Sequence, residues 1–178
     1  MAAVSTRTLT DDDIQLRDSL LAELDNRGNA VVSVPPEGAE AGFCFTAGAW
    51  WKHRVPEAVV IGLPAEMGPV LLDAYVDRAA TGERFVPGTV CDDFFDGVPV
   101  AFERVSAEHY PQYFGSAFLL YPDGAFPALQ IIVATPDGYW PWSAEAPAGF
   151  AEWQPLLTRS GKPESRNPHA GPPAGGES

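Results

Sequence analysis

The feature that most constrains the fold is how the apolar runs arrive. They are short, they come in consecutive pairs, and Pro and Gly cut them apart (18 and 17 of 178 residues). NAVVSVPP stops at Pro35 and Pro36. GFCFTAGA and EAVVIGL follow on either side of Trp50-Trp51-Lys52-His53-Arg54. CDDFF and VPVAFERV flank Asp96-Gly97, a hairpin turn signal. Phe126–Ala134 is the most strand-like run of all, and Pro136-Asp137-Gly138 turns the chain after it. Strands that follow one another directly pair antiparallel, whereas a doubly wound parallel sheet needs a crossover helix after each strand. Helical signals are fewer. Thr10 before Asp11, Asp12 and Asp13 reads as a capped helix start, and Gly28 as its stop. Met67, Val70, Leu71, Ala74 and Tyr75 recur at helical spacing between Pro64 and Thr81, and Ser106 opens a shorter segment around Tyr110, Tyr113 and Phe114. The expected fold class is therefore α+β: a single domain with a largely antiparallel sheet and about three helices packed on one of its faces.

At 178 residues one domain is the natural count. Residues 1–9 read as a flexible N-terminus and 10–157 as the α+β domain. Residues 158–178, which include RSGKPESRNPHAGPPAGGES and His169, read as a disordered tail because they offer almost nothing to bury. No run of eighteen apolar residues occurs, and MAAVSTRTLTDDD turns acidic without an apolar stretch, so the expectation is a cytoplasmic protein with no membrane span. The net charge of −13 sets the surface against nucleic acid and anionic lipid, while leaving room for a basic protein partner or a cationic small molecule. Heavy use of Ala, Gly and Pro, with Arg preferred to Lys, is the composition of a GC-rich, actinobacterial-like bacterial genome.

The chemistry-bearing residues concentrate between Gly42 and Pro64. In an extended strand Phe43, Phe45, Ala47 and Ala49 share one face, and Cys44, Thr46, Gly48 and Trp50 share the other. The second set is small and weakly polar, which lets either a helix or a ligand approach the backbone closely. Cys44 is a candidate nucleophile if a cation or His lowers its pKa; otherwise it and Cys91 are reduced, inert thiols whose spacing fits no zinc motif. His53 and His109 are candidates for acid–base work, the latter beside Glu108 and Tyr110, and each can equally be an ordinary surface histidine. Glu57, directly after Pro56, can orient a His or fix the start of its strand. Gln130 stands inside the apolar run LQIIVA, where its amide must find partners. Thr46, Gly48, Trp50, Trp51, Gln130 and Trp142 form the expected ligand-binding set, on the premise that the Trp pair and the Gln130 segment border one hollow. No metal site and no cofactor are expected: there is no phosphate loop, nucleophile elbow, dinucleotide fingerprint or metal-ligand spacing.

Phe45-Thr46-Ala47-Gly48, Pro56-Glu57, Gly62-Leu63-Pro64, Leu129-Gln130 and Asp137-Gly138-Tyr139-Trp140-Pro141-Trp142 together resemble the bacterial domain-of-unknown-function family numbered 4262. The resemblance covers about Leu20 to Trp142. It departs from the family pattern in a compressed spacing between Asp137 and Gly138 and in Ala49, where a larger aliphatic residue is expected. It implies one domain and brings no reaction with it.

Two functions follow as expectations. One is a small ligand- or protein-binding module with an aromatic-lined cleft, taking a small molecule or a basic protein. The other is a small cofactor-independent enzyme of bacterial specialised metabolism, using Cys44, His53 or His109.

Overall fold

The structure, a computed structural model, describes residues 8–165. Helix α1 (Asp11–Arg27) begins where the sequence signals it. Thr10 Oγ1 accepts from the Asp13 N–H at 3.1 Å, and the Asp13 carboxylate accepts from the Thr10 N–H at 3.1 Å, a reciprocal cap. Gly28 ends the helix at φ 83°, its N–H donating to Leu24 O. Six strands follow: β1 (Val31–Val34), β2 (Phe43–Thr46), β3 (Glu57–Ile61), β4 (Val90–Phe95), β5 (Val98–Arg104) and β6 (Ala128–Val133). Between them lie the helices α2 (Ala49–His53), α3 (Met67–Ala80) and α4 (Tyr110–Tyr113), with 3₁₀ turns at Ala107–His109 and Gly115–Leu119, and α5 (Phe150–Trp153) comes after β6.

The six strands form one open sheet in the order β1-β2-β3-β6-β5-β4. It is mostly antiparallel, as the paired runs imply. The parallel contact is β3 against β6, in the middle, with Glu57 opposite Ala128 and Val59 opposite Gln130. The fold class is α+β with a largely antiparallel sheet. Helices, however, cover both faces and not one. Phe45, Val59 and Ile61 pack with Leu20 and Leu24 of α1 and with Phe114 and Ala117. Cys44, Val60, Phe102 and Ile131 pack with Leu71, Leu72, Tyr75 and Val76 of α3. The reason lies in the two central strands, where every residue of β3 and β6 is buried. Strands apolar on both sides require cover on both sides. The edge strands β1 and β4 carry exposed residues instead.

The expected strand Gly42–Ala49 ends early, at Thr46. Gly48 takes φ 117°, a conformation that suits glycine, and a Cβ there would meet the Leu24 side chain at 2.2 Å. The chain turns under α1, and the Trp-Trp-Lys-His-Arg connection becomes α2. At the other end of the chain, Glu103 accepts from the Glu164 and Ser165 N–H groups and from the Ser165 hydroxyl, so residues 164 and 165 lie against β5. Most of the expected tail, residues 166–178 with His169, lies outside the described residues, as do residues 1–7 of the expected flexible N-terminus. No helix among the described residues is long and apolar enough to cross a membrane.

Candidate functional site

β3 begins at Glu57, and its carboxylate is completely buried. Five donors converge on it. The N–H groups of Gly48, Ala49 and Trp50, which open α2, donate at 2.9, 3.1 and 3.2 Å. The Thr46 and Tyr121 hydroxyls each donate at 2.5 Å. Both hydroxyls are themselves aimed. Thr46 Oγ1 accepts from the Ala58 N–H at 2.9 Å and Tyr121 Oη from the Trp51 N–H at 2.8 Å, which turns their own protons toward Glu57. Burial pushes the Glu57 carboxyl up, and the Thr46, Tyr121 and backbone donors pull it back. Burial and the neighbouring Glu57 charge hold the Tyr121 phenol protonated well above the usual range. With both oxygens occupied and no solvent contact, Glu57 fixes where β3 starts and where α2 points.

Each residue singled out in the sequence has a definite place around this frame. Thr46 and Gly48 serve the Glu57 network. His53 Nε2 lies 2.8 Å from Gly28 O; a carbonyl only accepts, so that nitrogen donates and the ring ties α2 to the end of α1. Trp50 is half-buried with the Arg54 guanidinium 5.4 Å from its ring centroid, while Trp51 is exposed and meets Tyr121 edge-on. Gln130 is fully buried. Its amide donates to Pro155 O and accepts from the Leu157 N–H, both at 2.8 Å, clamping the segment after α5 to the sheet. His109 sits 3.6 Å from Glu108 near the Tyr113 ring. Trp142 stacks flat on Trp140, with centroids 5.2 Å apart. Among the described residues no group of three His, Cys, Asp or Glu side chains is arranged to hold a metal ion. Both cysteines are free thiols, and burial, followed by Asp93, pushes the Cys91 thiol up.

The other end of β3 is built differently. A cleft of about 540 Å³ opens there, lined by residues 33–36, 42–44, 62–65, Val60 and Trp153. It sits where β1 ends, β2 begins and β3 gives way to the turn before α3. The Gly62 N–H donates to Gly42 O at 2.9 Å, and the Trp153 indole donates to Gly62 O at 3.0 Å, so α5 supplies one aromatic wall. Phe43 also lines the cleft at the start of β2, with its ring packed 4.8 Å from that of Tyr113. A side chain on Gly62 would meet the Trp153 ring at 2.8 Å, so the glycine is what lets the indole lie against the backbone. Cys44 is in the lining, nearly buried, with Ser33 Oγ at 3.3 Å. A Cβ at Gly68 would meet its sulfur at 2.7 Å, so the missing side chain at Gly68 is what lets α3 lie against Cys44.

Of the sequence candidates, Cys44 borders this cleft. Thr46, Gly48, Trp50, Trp51, Gln130, Trp142, His53 and His109 are not among its lining residues. Trp153, Gly62 and the Pro35-Pro36 pair escaped notice as site residues. In the sequence Pro35 and Pro36 read as the stop of a strand and Gly62 as the end of an apolar run, and Trp153 carries no local signal of a site. Tyr121 left no local signal, since its partner Glu57 is 64 positions away.

Compared with known proteins, residues 23–147 match the model of a family described as "Domain of unknown function (DUF4262)", nearly the span of the resemblance read from the sequence. No curated protein and no solved structure matches the chain.

Proposed function

Because the chain belongs to the DUF4262 family, whose description names no reaction, we propose its function from its own geometry: it is a small ligand-binding module, and its ligand occupies the cleft at the end of β3. The cleft carries the reading. Its volume of about 540 Å³ and its apolar, partly aromatic walls suit a small organic molecule. The contrast with the polar candidates supports binding over catalysis. Glu57 and Gln130 direct their hydrogen bonds to the protein's own backbone and hydroxyls, and His53 holds the end of α1. Two free thiols agree with a reducing, cytoplasmic setting, and the bacterial origin rests on composition. The strong net negative charge disfavours nucleic acid as the partner.

The test is a fragment screen on the isotope-labelled full chain, followed by amide and indole chemical shifts. Apolar and aromatic fragments are expected to move Gly42, Gly62, Leu63 and the Trp153 indole. Shifts that instead centre on His53 or His109, or the absence of any binder, overturn the reading.

A further inference from the structure

We infer that the ligand of this cleft is an organic cation: an apolar body, aliphatic or aromatic, ending in an amine or quaternary ammonium group. The inference rests on the cleft being a ligand site and adds the charge its occupant must carry.

The first observation is what the cleft-building chain lacks. The lining comes from three segments, and residues 28–51, 55–77 and 122–158, which contain all of it, hold no Lys, Arg or His. The second is what stands beside the lining. Glu37 follows Pro36, Glu40 precedes Gly42 by two positions, Glu66 follows Ala65, and Glu152 precedes Trp153; all four are exposed. Glu37 and Glu40 are held in a tight loop, each N–H donating to the other's carbonyl at 3.0 and 2.9 Å, so their backbones stay together in the segment between the lining residues Pro36 and Gly42. None of the lining residues is charged, so an apolar ligand body meets no counter-charge inside. The third is hydrogen-bonding polarity. Pro35, Pro36 and Pro64 have no N–H, so these three residues bring no backbone donor to the wall, and Pro64 O is itself taken by the Met67 N–H at 2.9 Å. An anionic ligand meets carboxylates of its own sign beside the lining and no cationic group within it, whereas an ammonium group meets those carboxylates and the Trp153 indole. The bounded volume favours a small molecule over a basic peptide.

A matched trio on the full chain reads the sign directly: 4-phenylbutylamine, 4-phenylbutanol and 4-phenylbutyrate, titrated by calorimetry. Four carboxylates near the mouth give the amine an expected advantage of about tenfold over the alcohol at low salt, with the carboxylate weaker than both. Raising ionic strength is expected to shrink that advantage while leaving the alcohol unchanged. Combining Glu37→Gln, Glu40→Gln, Glu66→Gln and Glu152→Gln should bring the amine down to the alcohol's affinity, again with the alcohol unaffected. Equal binding of amine and butyrate, or a preference that survives both salt and the four substitutions, overturns the cation assignment and leaves the cleft as a neutral-ligand site. Failure of all three probes overturns the ligand-binding reading as well, and binding of a Lys-rich apolar peptide in their place transfers the surface to a protein partner.

Discussion

At its N-terminal end β3 delivers a carboxylate that receives five hydrogen bonds and touches no solvent. At its C-terminal end, the same strand opens into a cleft of about 540 Å³ with apolar walls and little polar demand of its own. The first end contains the more conspicuous chemistry, an acid with aimed hydroxyls around it. Yet that polarity is spent within the fold. A site for something external needs free volume and unspent contact area, and those are at the other end. The difference between the ends shows why a rich hydrogen-bond network is a poor marker of a functional site unless some of its capacity faces outward.

The comparison breaks first at Glu57. Glu57→Ala leaves three N–H groups and two hydroxyls without their acceptor and opens a void, for an expected loss of about 4 kcal/mol. That is a large part of a typical domain's stability. Glu57→Gln keeps the shape but turns an amide NH₂ toward donors, and about 2 kcal/mol is expected. Urea unfolding of both variants measures this; a loss below about 1 kcal/mol for Glu57→Ala would show that the network is not structural. Gln130 comes next. Gln130→Leu fits the apolar strand but strands Pro155 O and the Leu157 N–H, at an expected cost of about 3 kcal/mol. Hydrogen exchange at residues 155–165 should rise together with the loss of stability, because the clamp on that segment is gone.

Substitutions at the open end should reverse the pattern, with little lost stability and much lost binding. Trp153 is 42% exposed, so Trp153→Ala is expected to cost about 1–2 kcal/mol while abolishing fragment binding. Gly62→Ala forces a left-handed backbone onto an L side chain, for about 1–2 kcal/mol, and pushes the indole off its seat. Thermal melts read the first effect and fragment titration the second. If Trp153→Ala binds fragments as well as the parent chain, the two ends of β3 do not divide structure from function.

How much of this was legible in the sequence depended on distance along the chain. α1 was readable at both ends because its signals are local, Thr10 with Asp13 and then Gly28. The β4–β5 hairpin announced itself at Asp96-Gly97. Gln130 was conspicuous as the polar residue of an apolar strand, but its partners come from a stretch 25 and 27 positions later that carries no strand or helix pattern. The coverage of both sheet faces was implicit in EAVVI and ALQIIV, whose apolar runs leave no side for water. The cleft was the least legible part, because its wall depends on Trp153 meeting Gly62 across 91 positions, and no periodicity encodes such a contact.

A charged group that is well paired but not buried offers the finest test of the contrast. The Arg78 guanidinium binds the Glu83 and Asp93 carboxylates and lies 4.2 Å from the Phe94 ring centroid, joining α3 to β4 at the sheet edge. Arg78 holds the Glu83 carboxyl below its ordinary value. A carboxyl depressed in the folded state contributes stability above its unfolded pKa, near 4.5, and loses it as pH falls through the lower folded value. Between these values the unfolded chain binds the more protons, so acid favours unfolding. Melting temperatures of the parent chain and Glu83→Gln should therefore differ slightly at neutral pH and converge in that acidic window. Glu83 is exposed, and solvent and salt screen the pair, so the gap is expected to be the smallest of the series and to narrow further in high salt. A gap rivalling that of Glu57→Gln would mean that the number of hydrogen bonds, and not burial, sets the cost of breaking a network in this fold.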